Sequence, residues 1–224
     1  MWRVVLCLLL ICLIAPQGHA GPWPREKGQT FVSVWAGEER VAGLSGRLAG
    51  SYSEYGVTDR VTVSTAVESR AAASEVMRWE VGARWYLGDV GAGAPISVGL
   101  GVQRGTVLAG PKPATRARVV VHYGRGFDRP LQGGWLRSSV SVLPSFGGEG
   151  TDFETYSQAG LRPTAKSLVM LSIGTYHTDR DDFLKISPAL GHEIGRLGTL
   201  VVEATQEIGN DRDRRLTVAL WRRF

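Results

Sequence analysis

Val76-Met77-Arg78-Trp79-Glu80-Val81-Gly82-Ala83-Arg84-Trp85-Tyr86-Leu87 is the stretch whose reading decides the fold. Taken in alternation, Met77, Trp79, Val81, Ala83, Trp85 and Leu87 share one face, and Arg78, Glu80, Gly82 and Arg84 share the other. A period of two belongs to an extended strand, whose successive side chains point to opposite faces. One face is apolar and the other carries full charges, so the strand separates two very different media. A soluble sandwich achieves this with a core on one side and water on the other. The decision between sandwich and barrel therefore rests on how many strands repeat the pattern and how they are connected.

Working outward, the segment near 115–125 sets Ala117, Val119, Val121 and Tyr123 against Arg116, Arg118 and His122. Near 199–208, Leu200, Val202 and Ala204 oppose Glu203, Thr205 and Glu207. At the end of the chain, Leu216, Val218 and Leu220 alternate with Thr217 and Ala219 before the final Phe224. Downstream of Gln29 there is no convincing helical period. The alternating segments fall near 30–37, 45–55, 60–68, 76–87, 96–106, 115–125, 133–146, 152–161, 167–177, 183–192, 199–208 and 214–224. Twelve is the expected strand count, with ten the lower count the pattern allows. An even number is what a closed bacterial barrel with both termini in the periplasm requires.

Connections sort by parity. After even-numbered strands come turns such as Tyr55-Gly56-Val57-Thr58-Asp59-Arg60 and Leu161-Arg162-Pro163-Thr164-Ala165-Lys166, each running straight into an apolar strand. Polar stretches such as Thr178-Asp179-Arg180-Asp181-Asp182 and Gly209-Asn210-Asp211-Arg212-Asp213 follow the odd-numbered ones. The former read as periplasmic turns and the latter as extracellular loops. None is long enough to form a large plug or lid. The 29 glycines fit β structure with tight turns.

Magnitudes favour the barrel. Arg or Lys on a lipid-facing position at mid-depth costs about 2 to 4 kcal/mol, so a barrel must confine charge to its lumen and rims, and most of these strands do so. Trp79, Trp85, Tyr86, Tyr52, Tyr123, Trp135 and Tyr176 fall near strand ends, as interfacial aromatic girdles would. The fold class expected is all-β: a closed, antiparallel, up-and-down transmembrane β-barrel in one domain over residues 21–224.

Residues 1–20 read as a secretory signal peptide: a basic Arg3, an apolar run over 4–15 too short to span a bilayer, and Gly18-His19-Ala20 before the expected cut. Export and a barrel together imply the outer membrane as the location. Both cysteines, Cys7 and Cys12, lie inside that segment, so the remainder has neither a disulfide nor a thiolate centre. The formal charge of +5 is spread along the chain, and with export this argues against a nucleic-acid partner.

The closing segment, with Leu216, Val218, Leu220 and a terminal Phe224, resembles the last strand of bacterial outer-membrane barrels, which commonly ends in an aromatic residue read by the barrel-insertion machinery. It departs from that pattern at Arg222, where an apolar residue is usual; near the interface such a side chain can snorkel. Together with Pro22-Trp23-Pro24-Arg25-Glu26-Lys27-Gly28 and the Tyr55 to Arg60 turn, the closing strand resembles uncharacterised outer-membrane β-barrel proteins of proteobacteria. The resemblance covers most of residues 21–224 and implies lipid, lipopolysaccharide and the insertion machinery as partners. It implies no activity and no site residues.

Candidate function resides in lumen charge. Arg47, Arg78, Arg84, Arg118, Arg137 and Lys185 are expected to face Glu68, Glu80, Glu154, Glu203 and Glu207. Such a ring either makes a narrow, selective constriction for small polar solutes or pairs across the lumen and closes it into a structural or surface-interaction barrel. Catalysis is not expected. His177 with Asp179, Asp181 and Asp182 is the cluster closest to a hydrolase site, but it follows Val169, Leu171 and Ile173 on the lipid-facing set. The glycines around Gly88-Asp89-Val90-Gly91 and Gly99-Leu100-Gly101 precede no helix and form no phosphate loop. No spacing of His or carboxylates suggests a metal, and no cofactor is expected.

Overall fold

The computed structural model describes residues 21–41, 44–70, 77–91, 93–105, 114–147, 150–178, 182–209 and 213–224. The signal-peptide expectation for 1–20 lies outside the described residues, as do Asp179 and Asp181 of the acidic cluster. Twelve strands follow in chain order: β1 (Thr30–Val41), β2 (Leu44–Thr58), β3 (Val61–Arg70), β4 (Met77–Val90), β5 (Ala94–Gly105), β6 (Ala114–Phe127), β7 (Gly134–Pro144), β8 (Thr151–Leu161), β9 (Ser167–His177), β10 (Asp182–Glu193), β11 (Thr199–Ile208) and β12 (Arg214–Arg223). Each pairs antiparallel with its neighbours in sequence, and β1 pairs with β12 to close the barrel. Thr30 N donates to Phe224 O at 3.1 Å and Phe224 N to Thr30 O at 2.9 Å, so both ends of the barrel chain meet at one mouth. Closure leaves no strand edge, which a hydrocarbon surround demands because nothing there can hydrogen-bond an exposed backbone.

Several strands outrun their expected ends, β2 and β4 through bulges. β2 reaches Thr58 and β4 reaches Val90, because the pairing register shifts at Gly56/Thr58 and at Tyr86/Gly88 and then continues. A bulge absorbs one residue without ending the ladder. The β2–β3 connection shrinks to Asp59 and Arg60, with Thr58 Oγ1 accepting from the amides of Arg60 (3.2 Å) and Val61 (3.0 Å). Thr164 Oγ1 does the same for Lys166 (3.3 Å) and Ser167 (3.0 Å) before β9. These short threonine-stabilised turns lie at the mouth that holds the chain ends, the periplasmic mouth.

The outer face is an apolar belt. Val63, Val81, Leu100, Val121, Val140, Leu171, Val202 and Val218 all point away from the lumen and are exposed in the isolated chain. A continuous exposed apolar surface of this extent is incompatible with water and fits lipid, which places the protein in an outer membrane. The strands, ten to fifteen residues long, suffice to cross one. Val140, midway along β7, is 56% exposed, so Val140→Arg is expected to cost about 2 to 4 kcal/mol of barrel stability in lipid vesicles, read as a lower urea midpoint. An unchanged midpoint would place Val140 off the lipid face.

The aromatic girdle needs correcting. Trp79, Trp85 and Tyr123 lie on the outward face, but Trp135 and Tyr176 are buried inside the barrel, and Tyr52 is inward as well. Their nearness to strand ends is real. Their parity puts the rings in the lumen, where each polar atom finds a partner: Trp135 Nε1 donates to Gln158 Oε1 (3.3 Å), Tyr176 OH to Asp152 Oδ2 (2.6 Å) and Tyr52 OH to Glu54 Oε1 (2.6 Å).

Candidate functional site: the lumen

Parity decides which side chains meet inside. On β4, Glu80, Gly82 and Arg84 alternate with the exposed Val81 and Trp85, so Arg78, Glu80 and Arg84 share the inward face. Arg118 on β6, Arg137 on β7, Glu154 on β8, Lys185 on β10, and Glu203 and Glu207 on β11 occupy inward positions by the same alternation. Arg47 does not. Leu48 beside it is 3% exposed and points inward, while Arg47 is exposed, opposite Glu38 of β1 on the outer side near the extracellular end. The expectation that Arg47 joins the lumen ring is therefore corrected. β2 reads Ser-Gly-Arg-Leu-Ala-Gly-Ser-Tyr-Ser-Glu, small and polar on both faces, so its hydropathy does not reveal its parity.

At mid-lumen, Arg118 ties the wall together from β4 to β8. Its Nη1 donates to Glu80 Oε1 (2.5 Å), Nη2 to Glu154 Oε2 (3.3 Å), and Nε and Nη2 to Ser141 Oγ (3.2 and 3.1 Å). Towards the extracellular side, Glu68 accepts from Arg215 of β12 (2.5 Å) and from Trp35 Nε1 (3.3 Å), and Arg70 contacts Glu39 (3.2 Å) and Glu68 (3.4 Å). Arg116 pairs with Asp152 at 2.7 Å and Lys185 with Glu207 at 3.7 Å. Arg78 stands 3.9 Å from Glu80, with a side chain 45% exposed. Paired, hydrogen-bonded charges of this kind are the form in which ionised groups can be kept out of bulk water.

Glu54 was absent from the sequence-derived ring, yet among the described residues it is the most enclosed carboxylate, 1% exposed. It accepts from Arg25 Nε (2.6 Å), Tyr52 OH (2.6 Å), and Arg84 Nη1 and Nη2 (3.2 Å each). Four donors fill the acceptor capacity of an ionised carboxylate.

Arg25 belongs to a second feature the sequence did not reveal. Residues 21–26 form a strap across the periplasmic half of the lumen. On one side, Arg25 is 2% exposed, bonds Glu54 of β2, takes Thr62 Oγ1 of β3 as acceptor for its amide (3.0 Å), and lies over the Phe31 ring of β1 at 4.8 Å. On the other, Pro22 and Trp23 lie against Gly124 of β6, and Gly21 lies against Arg137 of β7. Arg84 Nη2 donates to the Trp23 carbonyl at 3.3 Å, and the Trp23 ring packs on an inner apolar cluster of Trp135, Leu168, Met170, Ala189 and Val201. Two wall glycines make room. A Cβ on Gly56 would strike the Glu26 carbonyl, and one on Gly124 would strike the Pro22 ring and the Trp23 indole. Among the described residues, the segment ahead of β1 partly fills the barrel.

Among the described residues, two cavities lie within the lumen. The larger, about 720 Å³, runs from Arg118 and Tyr156 to the periplasmic turn residues Gln132, Ala165 and Lys166. The smaller, about 260 Å³, runs from the same level to Asp213 and Arg214 at the extracellular end. Glu154 and Tyr156 line both, so one layer of side chains around Arg118 divides them. His122 is inward and lines the larger cavity, whereas His177 is exposed on the outer face in contact with Asp182. Among the described residues no His, Asp or Glu group converges as a metal-holding set. At the closing strand, Leu216 and Val218 are exposed on the lipid side with Leu220, and Phe224 follows β12 with 63% exposure.

No family model matches the chain, and no curated protein does. Solved structures with the same architecture do. A KdgM porin superposes with a TM-score of 0.63 at 9% identity, covering 84% of this chain and 98% of its own. A second KdgM structure, in complex with disordered oligogalacturonate, gives 0.61 at 12% identity over 84% and 97%. The COG4313 outer membrane channel from Pseudomonas putida F1 gives 0.58 at 9% identity over 93% and 100%. At such identities the likeness is one of fold: this chain is built as a closed barrel of the outer-membrane kind.

Proposed function

We propose that this barrel is a narrow passive channel for small polar solutes. The observation that carries the reading is the pair of cavities lined with charged side chains, reaching opposite mouths and divided by a single layer of side chains at Arg118, Glu154 and Tyr156. Twelve strands sit between the small barrels that side chains fill and the large ones that hold a wide aqueous pore, so a constriction of one layer is what the geometry allows. Charges on fixed wall positions at such a layer select among ions. In the same reading, Leu216, Val218, Leu220 and Phe224 form the insertion signal, and the extracellular ends meet lipopolysaccharide.

Arg118→Glu tests it. Three carboxylates would then share the dividing layer, because Glu80 and Glu154 already bracket position 118 at 2.5 and 3.3 Å. The reversal potential of single channels in a salt gradient is expected to move towards cation preference. An unmoved potential in a barrel that still folds would mean that ions do not pass Arg118.

A further inference from the structure

We infer that the periplasmic half of the lumen is a binding site for a small organic anion with an aromatic body, an arylcarboxylate in chemical class. This deepens the channel reading by naming its solute, and rests on that reading for passage but not for binding.

Among the described residues, the walls of the two cavities differ in charge. The extracellular one is balanced, six carboxylates against five cations. The periplasmic one is lined by seven cationic side chains and only two carboxylates, Glu154 and Glu193. Arg118 is committed to Glu80 and Glu154, and Arg84 shares Glu54 with Arg25, so a single carboxylate there is shared by two guanidinium groups. Arg137, Arg162, Lys166 and Arg223 add further positive charge to the same wall. Arg162 Nε is buried and has no hydrogen-bond partner among the described residues. A carboxylate supplies the acceptor that such a donor needs, and a guanidinium binds it in a fixed planar geometry.

The rest of the wall is aromatic. Phe31 meets Tyr52 and Trp221 edge to face, with ring centroids 6.3 and 6.2 Å apart, and all three line the cavity. Trp135 and Leu168 line it as well. Apolar rings facing a lumen are unlike the polar interior usual in water-filled barrels. A cavity of about 720 Å³ falls in the range that holds drug-sized ligands. An inorganic anion would use the arginines and leave the rings wet, and a neutral aromatic would leave the cations unanswered. A ligand carrying both groups satisfies both walls.

The test is calorimetric titration of the full barrel, refolded in detergent micelles, with benzoate, acetate and benzyl alcohol, each corrected against empty micelles. Benzoate is expected to bind about tenfold more tightly than either single-feature probe, the increment of one charge-assisted hydrogen bond. Arg162→Gln, or Lys166→Gln at an exposed turn position if the first variant fails to fold, should weaken benzoate several-fold and leave benzyl alcohol unchanged. Trp221→Leu should weaken both aromatic probes and spare acetate. Equal binding of benzoate and acetate, equal binding of benzoate and benzyl alcohol, or no binding would each overturn the inference. Conductance is measured separately. Saturable benzoate binding by a barrel that does not conduct sinks the channel reading alone, and conduction without benzoate preference sinks this inference alone.

Discussion

Glu54→Ala is expected to lower the unfolding free energy of the barrel by about 3 to 5 kcal/mol, the cost of removing one partner from a buried ion pair. The carboxylate is the common acceptor for Arg25, Arg84 and Tyr52, and Arg25 and Arg84 are themselves 2% and 8% exposed. Alanine would leave two guanidinium groups facing each other with nothing between them. Desolvation and like-charge repulsion then act together, and the strap loses its anchor on β2. Glu54→Gln keeps one acceptor oxygen and the shape of the side chain, so its loss should be smaller. Urea titration followed by the gel-mobility difference between heated and unheated protein measures both. A loss below about 1 kcal/mol for Glu54→Ala would mean that the strap and its ion pairs contribute little.

Gly124→Val should evict the strap. Its Cβ would overlap the rigid Pro22 ring, with Trp23 Cη2 at 2.8 Å, and valine adds two further methyl groups. Eviction breaks the Arg25–Glu54 pair and uncovers the inner apolar cluster under Trp23, a loss on the order of 3 to 5 kcal/mol. It also clears the periplasmic half of the lumen, so single-channel steps should grow as stability falls. Removing residues 22–26 provides the control: in that shortened chain Gly124→Val should have almost no effect on either quantity, because the partner of the clash is gone. Equal effects with and without the strap would show that valine damages the wall itself.

Much of this architecture was legible because a wall between lipid and lumen imposes period two on every strand. Met77 to Leu87 carried it plainly, with arginines on one side and tryptophans on the other, and the strand count and closure follow from repeating that reading. β2 was not legible in the same way. With Ala49, Ser51 and Ser53 on one face and Gly50 and Tyr52 on the other, neither face is apolar enough to be assigned to lipid, so the pattern does not say which of Arg47 and Glu54 faces the lumen. Arg47 and Glu54 are seven residues apart, an odd separation, so they cannot share a face of one regular strand. That arithmetic was the available signal.

The strap left a fainter trace. Pro22-Trp23-Pro24 has no period, and prolines there prevent a strand, so nothing local says that the segment turns into the barrel. Its imprint is on the wall, in glycines at inward positions 56 and 124, which gain meaning only when the backbone approaching them is known. The individual ion pairs, Arg116 with Asp152 and Arg215 with Glu68, depend on register between strands far apart in sequence, and composition cannot supply it.

The most direct test of the central claim is single-channel recording of the refolded protein in a planar bilayer under a salt gradient, once unheated samples show the mobility of a folded barrel. A channel divided by one layer at Arg118, with a surplus of positive charge on its periplasmic side, predicts small, steady current steps and a reversal potential displaced towards anions. A folded barrel that gives no steps would contradict the account and mark the charge network as a closed polar core.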